Sequence, residues 1–192
     1  MEKILVKIVG HWRKSGFIDK SDTDVYIYGL DLLIFTMLNI LAIIITSVVI
    51  NKFVESVILL VAIIPLQSYG GGYHAKTHLR CFLIMYIGWW AVILIMPLIT
   101  PFIALIMNIG SIIIIFCLAP VPHVNVTMSA EHRLKLRRLV RLSALVIGLL
   151  SIILMLLFSS HQINYGIILS TGLGVVALSM IIAQFINNSQ NI

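Results

Sequence analysis

The sequence predicts an all-α, polytopic membrane protein of about six transmembrane helices, preceded by an amphipathic helix and carrying a glycine-rich segment between the second and third spans. Three observations predict it. Hydrophobic residues make up 60% of the 192 and charged residues 10%, with a mean hydropathy of +1.11, whereas soluble domains carry roughly one-quarter charged residues. Long apolar runs recur six times, at 30–50, 53–66, 82–99, 102–119, 142–158 and 163–186. The Lys and Arg residues fall on alternate inter-helical segments: five in residues 1–29, two in 67–80 and five in 120–141, with only Lys52 against the trend. That asymmetry places both termini and the 67–80 and 120–141 segments in the cytoplasm. The net charge of +6 is spread over short segments with little aromatic interleaving, which excludes a nucleic-acid footprint and points to anionic lipid headgroups as the partner. Two cysteines give no disulfide framework. The first thirty residues hold charges throughout and no apolar h-region, so a cleaved secretory signal is not expected.

Each element follows in order. In the arm 1–29, Ile4, Leu5, Ile8, Val9 and Trp12 recur at helical spacing among Lys3, Lys7, Arg13 and Lys14, the pattern of a helix lying in the membrane interface. Residues 30–192 then form one integral-membrane domain. A span needs roughly 20 residues, yet the second apolar run ends at Leu66. It must borrow Gln67, Ser68 and the glycines after them, and irregular backbone at that depth is tolerated only against protein or water. The segment is therefore expected to line a cavity. In the last span, Gly166, Ser170 and Gly174 form a small-residue stripe that serves helix packing within one chain or in a homodimer equally well.

Chemistry concentrates in Gly70-Gly71-Gly72-Tyr73-His74-Ala75-Lys76-Thr77-His78-Leu79-Arg80-Cys81. A histidine and a cysteine are the base and nucleophile of a thiol enzyme, and Lys76 and Arg80 supply positive charge that favours a thiolate. On one continuous helix, residues seven apart are separated by about 10.5 Å along the axis, too far for contact. A productive His74–Cys81 pair thus requires a break between or before them. Cys81 is expected in the first turns of the third span, His74 on a non-helical approach, and a helix start near Thr77 would aim backbone N–H groups at the site. Cys117, inside a wholly apolar run, reads as packing. A metal face of His74, His78 and Cys81 is disfavoured, because Ala75 stands where a zinc protease needs glutamate; no metal and no cofactor are expected.

The run Gly71-Gly72-Tyr73-His74 with Cys81 seven residues on, and Ala119-Pro120 followed by Asn125 and a basic helix start at 129–141, resemble the accessory gene regulator B (AgrB) family of membrane cysteine endopeptidases. The resemblance covers essentially the whole chain. It implies His74 as general base and Cys81 as nucleophile. The substrate would be a membrane-anchored precursor peptide of the accessory gene regulator D (AgrD) type, cleaved through an acyl thioester and cyclised to a thiolactone or lactone for quorum sensing. Substrate binding would fall to Gln67, Gly71, Gly72, Lys76, Arg80, Arg133 and Arg137. Two positions depart from the family pattern: Gln67 stands where many members carry arginine, and Thr127 where a proline is usual. Asp31, Glu55, Ser68 and Asn125 are all candidates to orient His74. Arg133, Arg137 and Arg141 share one stripe, suited to lipid anchoring or to an acidic precursor tail. The competing classes are a transporter or binding protein in which the polar segment is a gate, and a membrane acyltransferase using His74 with another acceptor.

Overall fold

The computed structural model describes residues 2–19, 23–73, 77–121, 129–158 and 165–190. They form seven helices: α1 (Glu2–Lys14), α2 (Thr23–Val49), α3 (Phe53–Gly70), α4 (His78–Ile95), α5 (Pro101–Leu118), α6 (Ala130–Leu157) and α7 (Tyr165–Gln190), with a 3-10 turn at Met96–Leu98. Among the described residues there is no strand, only an isolated bridge between Gly71 and Val121. Six of the helices, α2 to α7, are long and apolar enough to cross a membrane, the build of a multi-pass membrane protein.

Local chemistry sets the helix starts. Thr77, Thr100 and Ser129 are extended residues whose side-chain oxygens accept from the backbone N–H three positions on, at Arg80, Ile103 and His132, and so satisfy donors that the first turn leaves open. Pro101 opens α5, where a missing N–H costs nothing. The basic stretch expected as a helix start after residue 129 is continuous with the fifth span. The resulting α6 has 28 residues, about 42 Å, against a hydrocarbon core of roughly 30 Å. Its first turns therefore project from the bundle with Arg133, Lys135, Arg137 and Arg138 exposed. The second span likewise gains its missing length as helix, since α3 continues through Gln67 and Ser68 to Gly70.

Helix α7 is the axis of the bundle: 61% of its span is buried, against 11% for α4. One core, drawn from α3, α5, α6 and α7, contains Leu66, Ile115, Val140, Leu173, Val176 and Met180. A second, across α2, α3 and α4, contains Ile43, Leu59, Trp89 and Val92. Hydrogen bonds pin the membrane-buried contacts. Asn108 of α5 donates to the Gly148 carbonyl and to Ser170 Oγ, both at 3.2 Å, and Ser151 Oγ lies 2.6 Å from Ser170 Oγ. Ser151 Oγ also donates to the Gly166 carbonyl at 2.8 Å. Gly166, Ser170 and Gly174 thus pack against α5 and α6 inside the chain; a Cβ on Gly166 would run into the Ser151 carbonyl, and one on Gly174 would lie 2.9 Å from Met107 Cε. Small residues of this kind allow backbones to approach closely where lipid offers no hydrophobic drive. On the other flank, Trp89 Nε1 donates to Ser56 Oγ at 3.0 Å, and Thr46 Oγ1 and Tyr86 Oη are 2.8 Å apart.

The arm is helical, as its pattern predicts. Leu5 and Val9 of α1 are buried, while Ile4, Ile8 and Trp12 remain exposed, so only part of the apolar stripe packs on the protein.

Candidate active site

The candidate residues fall where α3 stops and α4 starts. At the C-terminus of α3 the Gly71 N–H donates to the Gln67 carbonyl at 3.0 Å, and Gly71 itself takes φ 71°, ψ −168°, a backbone region essentially restricted to glycine. This conformation turns the chain sideways onto the core. Val121, just beyond α5, donates its N–H to the Gly70 carbonyl at 2.8 Å and forms the Gly71 bridge. Space is tight along the glycine run, and strictly so at Gly71, where the obstacle is backbone. A Cβ on Gly70 would meet Met180 and Val140, on Gly71 the Val121 carbonyl oxygen, and on Gly72 the Ser179 hydroxyl at 2.7 Å. The strap ends at Tyr73, which packs on the α3/α5/α6/α7 core and donates its backbone N–H to Ser179 Oγ at 3.0 Å.

On the other side of the site, Thr77 caps α4 and Cys81 N–H donates to the Thr77 carbonyl at 3.0 Å. Cys81 therefore stands in the first turn of α4 and is half-buried, near the positive end of the helix dipole. The helix start at Thr77 and the seat of Cys81 agree with the sequence expectation. His74 and Lys76, like Asn125 and Thr127, lie outside the described residues. Arg80 is exposed in the same turn as Cys81, and Arg133 and Arg137 are exposed on the projecting start of α6. Gln67 lies in the last turn of α3, where its backbone carbonyl accepts the Gly71 N–H.

Three expectations are corrected. Glu55 cannot orient a base beside Gly70: it sits in the first turn of α3, fifteen residues or about 22 Å from that glycine, and pairs with Lys52 at 2.7 Å. Cys117 is exposed on the outer face of α5 and does not pack inside, because a lipid-facing position is as apolar as a core one. Arg141 does not continue the exposed Arg133–Arg137 stripe. Its Nη2 donates to the Phe116 carbonyl at 2.6 Å, and its guanidinium lies 5.1 Å from the Phe116 ring centroid. It thereby satisfies an open carbonyl in the last turn of α5, five residues before Val121. Sequence reasoning also missed Ser179 and Val121, which carry no local signal within their apolar runs.

The family model described as Accessory gene regulator B matches residues 2–185. An AgrB-like protein of Clostridium perfringens (strain 13 / Type A) is 25% identical over 169 residues, covering 87% of this chain and 89% of that one. No solved structure matches.

Proposed function

The chain belongs to the accessory gene regulator B family, which processes quorum-sensing precursor peptides, and from that premise we propose that it is a membrane cysteine endopeptidase acting on an AgrD-like precursor. The observation that carries the proposal is the contrast between the two thiols. Cys81 is half-buried in the first turn of α4, eight residues after the glycine strap closes at Tyr73, while Cys117 is exposed on an apolar helix.

The Cys81 thiolate attacks the carbonyl of the scissile peptide bond, the C–N bond breaks, and the leaving amine takes a proton from His74. This leaves the signal segment as an acyl thioester on Cys81. A cysteine or serine within that segment then attacks the same carbonyl; its proton passes to the base, and Cys81 departs as a thiolate. The product is a thiolactone or lactone ring. Because the thioester conserves acyl activation, no nucleotide is needed. The helix N-terminus supports both the thiolate and the oxyanion of each tetrahedral intermediate. Gly71 and Gly72 offer backbone for an extended substrate, Arg80 adds positive charge beside the thiol, and the exposed Arg133 and Arg137 attract an acidic part of the precursor and anionic lipid. The positive-inside distribution of Lys and Arg puts this end of the bundle in the cytoplasm, where a newly made precursor arrives.

Co-expression with the AgrD-like precursor of the same genome, followed by mass spectrometry, tests the proposal. Cys81→Ala should yield neither free tail nor cyclic peptide, and Cys117→Ala should yield both. Cyclic product from Cys81→Ala would overturn the mechanism.

A further inference from the structure

Asn39 stands at the centre of the α2 span Gly29–Val49. It is 3% exposed, and its Oδ1 is buried without a hydrogen-bond partner among the described residues. A buried polar atom left open calls for an explanation, and its place relative to Cys81 supplies one. Helices α2 and α4 cross the membrane in the same direction, because α3 returns between them. They are pinned at one level by Thr46 Oγ1 and Tyr86 Oη, 2.8 Å apart. Asn39 lies seven residues before Thr46 and Cys81 five before Tyr86, descents of about 10.5 and about 7.5 Å, so the two residues are within one helical turn of each other in depth. Their faces agree as well. Asn39 and Ile43 share a face of α2, while Cys81, Met85 and Val92, at i, i+4 and i+11, share one of α4. Ile43 and Val92 are buried in the same α2/α3/α4 core. The open amide thus lies on the cytoplasmic side of that core, at the level of the nucleophile. Asn108 Oδ1 is also open, but Asn108 is anchored by two bonds from Nδ2 among α5, α6 and α7, outside the core that holds Ile43 and Val92.

We propose that Asn39 is a substrate-binding residue: its carboxamide pairs with one peptide group of the precursor beside the scissile bond. The inference rests on the peptidase mechanism proposed above. A chain drawn to the depth of Cys81 takes its backbone N–H and C=O groups out of water, and each needs a partner there. A carboxamide answers a peptide group in kind, Oδ1 accepting its N–H and Nδ2 donating to its carbonyl. Seating a chain between α2 and α4 disturbs little packing, because α4 has only 11% of its span buried.

The test uses the full chain with Cys117→Ala and a synthetic copy of the AgrD-like precursor of the same genome. Asn39→Leu keeps the volume and removes the amide. It should lower kcat/KM for processing about 10-fold, with no change in Cys81 alkylation by iodoacetamide and no fall in the melting temperature, since an apolar replacement leaves no open polar atom behind. Esters placed one at a time for the amides flanking the scissile bond delete single N–H groups of the precursor. At one position the ester should slow the parent protein about 10-fold and Asn39→Leu not at all, the mark of a direct coupling. Asn39→Cys should crosslink to Cys81 through a short bis-methanethiosulfonate, and Leu38→Cys, at an exposed position of α2, should not. Processing by Asn39→Leu at the parent rate, an ester penalty equal in both proteins at every position, or no crosslink from Asn39→Cys would each overturn the contact and leave the mechanism standing. A melting temperature that falls in step with the rate would overturn it too, making Asn39 a packing residue. Cyclic product from Cys81→Ala would overturn the peptidase mechanism, and this inference with it.

Discussion

Gly71→Ala should disable the site while sparing the bundle. The added Cβ meets two obstacles. The backbone at φ 71°, ψ −168° costs a non-glycine residue about 1–3 kcal/mol. The Cβ is also driven into the Val121 carbonyl oxygen, which cannot swing aside because Val121 is itself buried in the core. The strap must lift, and the 2.8 Å hydrogen bond from Val121 N–H to Gly70 is lost at about 0.5–1.5 kcal/mol. Together these come to roughly 2–4 kcal/mol, which lowers the population of the docked strap by about 30- to 1000-fold. Helices α5, α6 and α7 retain their own core and the Asn108–Ser151–Ser170 hydrogen bonds, so opening is local. The assay is the rate of precursor processing in membrane vesicles at matched protein level, with thermal melting alongside. Gly88→Ala and Gly110→Ala serve as controls, since an added Cβ meets nothing within 4 Å at either position; both should process at the wild-type rate. Processing by Gly71→Ala within threefold of wild type would refute the idea that the strap must dock for catalysis.

Arg141→Gln should lower the melting temperature, because it forfeits the 2.6 Å bond to Phe116 and the cation–π contact, worth about 1–3 kcal/mol together; Arg133→Gln, on an exposed turn, should leave the melting temperature unmoved. If the two variants melt alike, the capping role of Arg141 is wrong. The Arg133→Gln/Arg137→Gln pair should slow processing most at low salt and little at high salt, as a screened attraction must; a loss independent of salt would assign these residues a different task. In a Cys117→Ala background, Cys81 should react with a membrane-permeant maleimide in intact cells and with an impermeant one only in inverted vesicles, and strong outside labelling would reverse the proposed orientation.

The sequence by itself determined the membrane character, the six spans, the amphipathic helix α1 and the start of α4 at Thr77 with Cys81 just inside it. Those features are local: a span is written in about twenty consecutive side chains, and a cap in one hydroxyl and the amide three residues on. Only the tertiary structure decided which face of each helix turns inward. It put Cys117 outside, brought the Gly166–Ser170–Gly174 stripe into contact with α5 and α6, and turned Arg141 from the exposed stripe onto Phe116. It also joined Gly70 to Val121 and Tyr73 to Ser179 across long stretches of chain. The physical reason is that lipid tails are as apolar as a leucine core: in water, polarity marks the outer face of a helix, but in a bilayer both faces carry the same residues, and the faces are told apart only by close approach and by hydrogen bonds between helices distant in sequence.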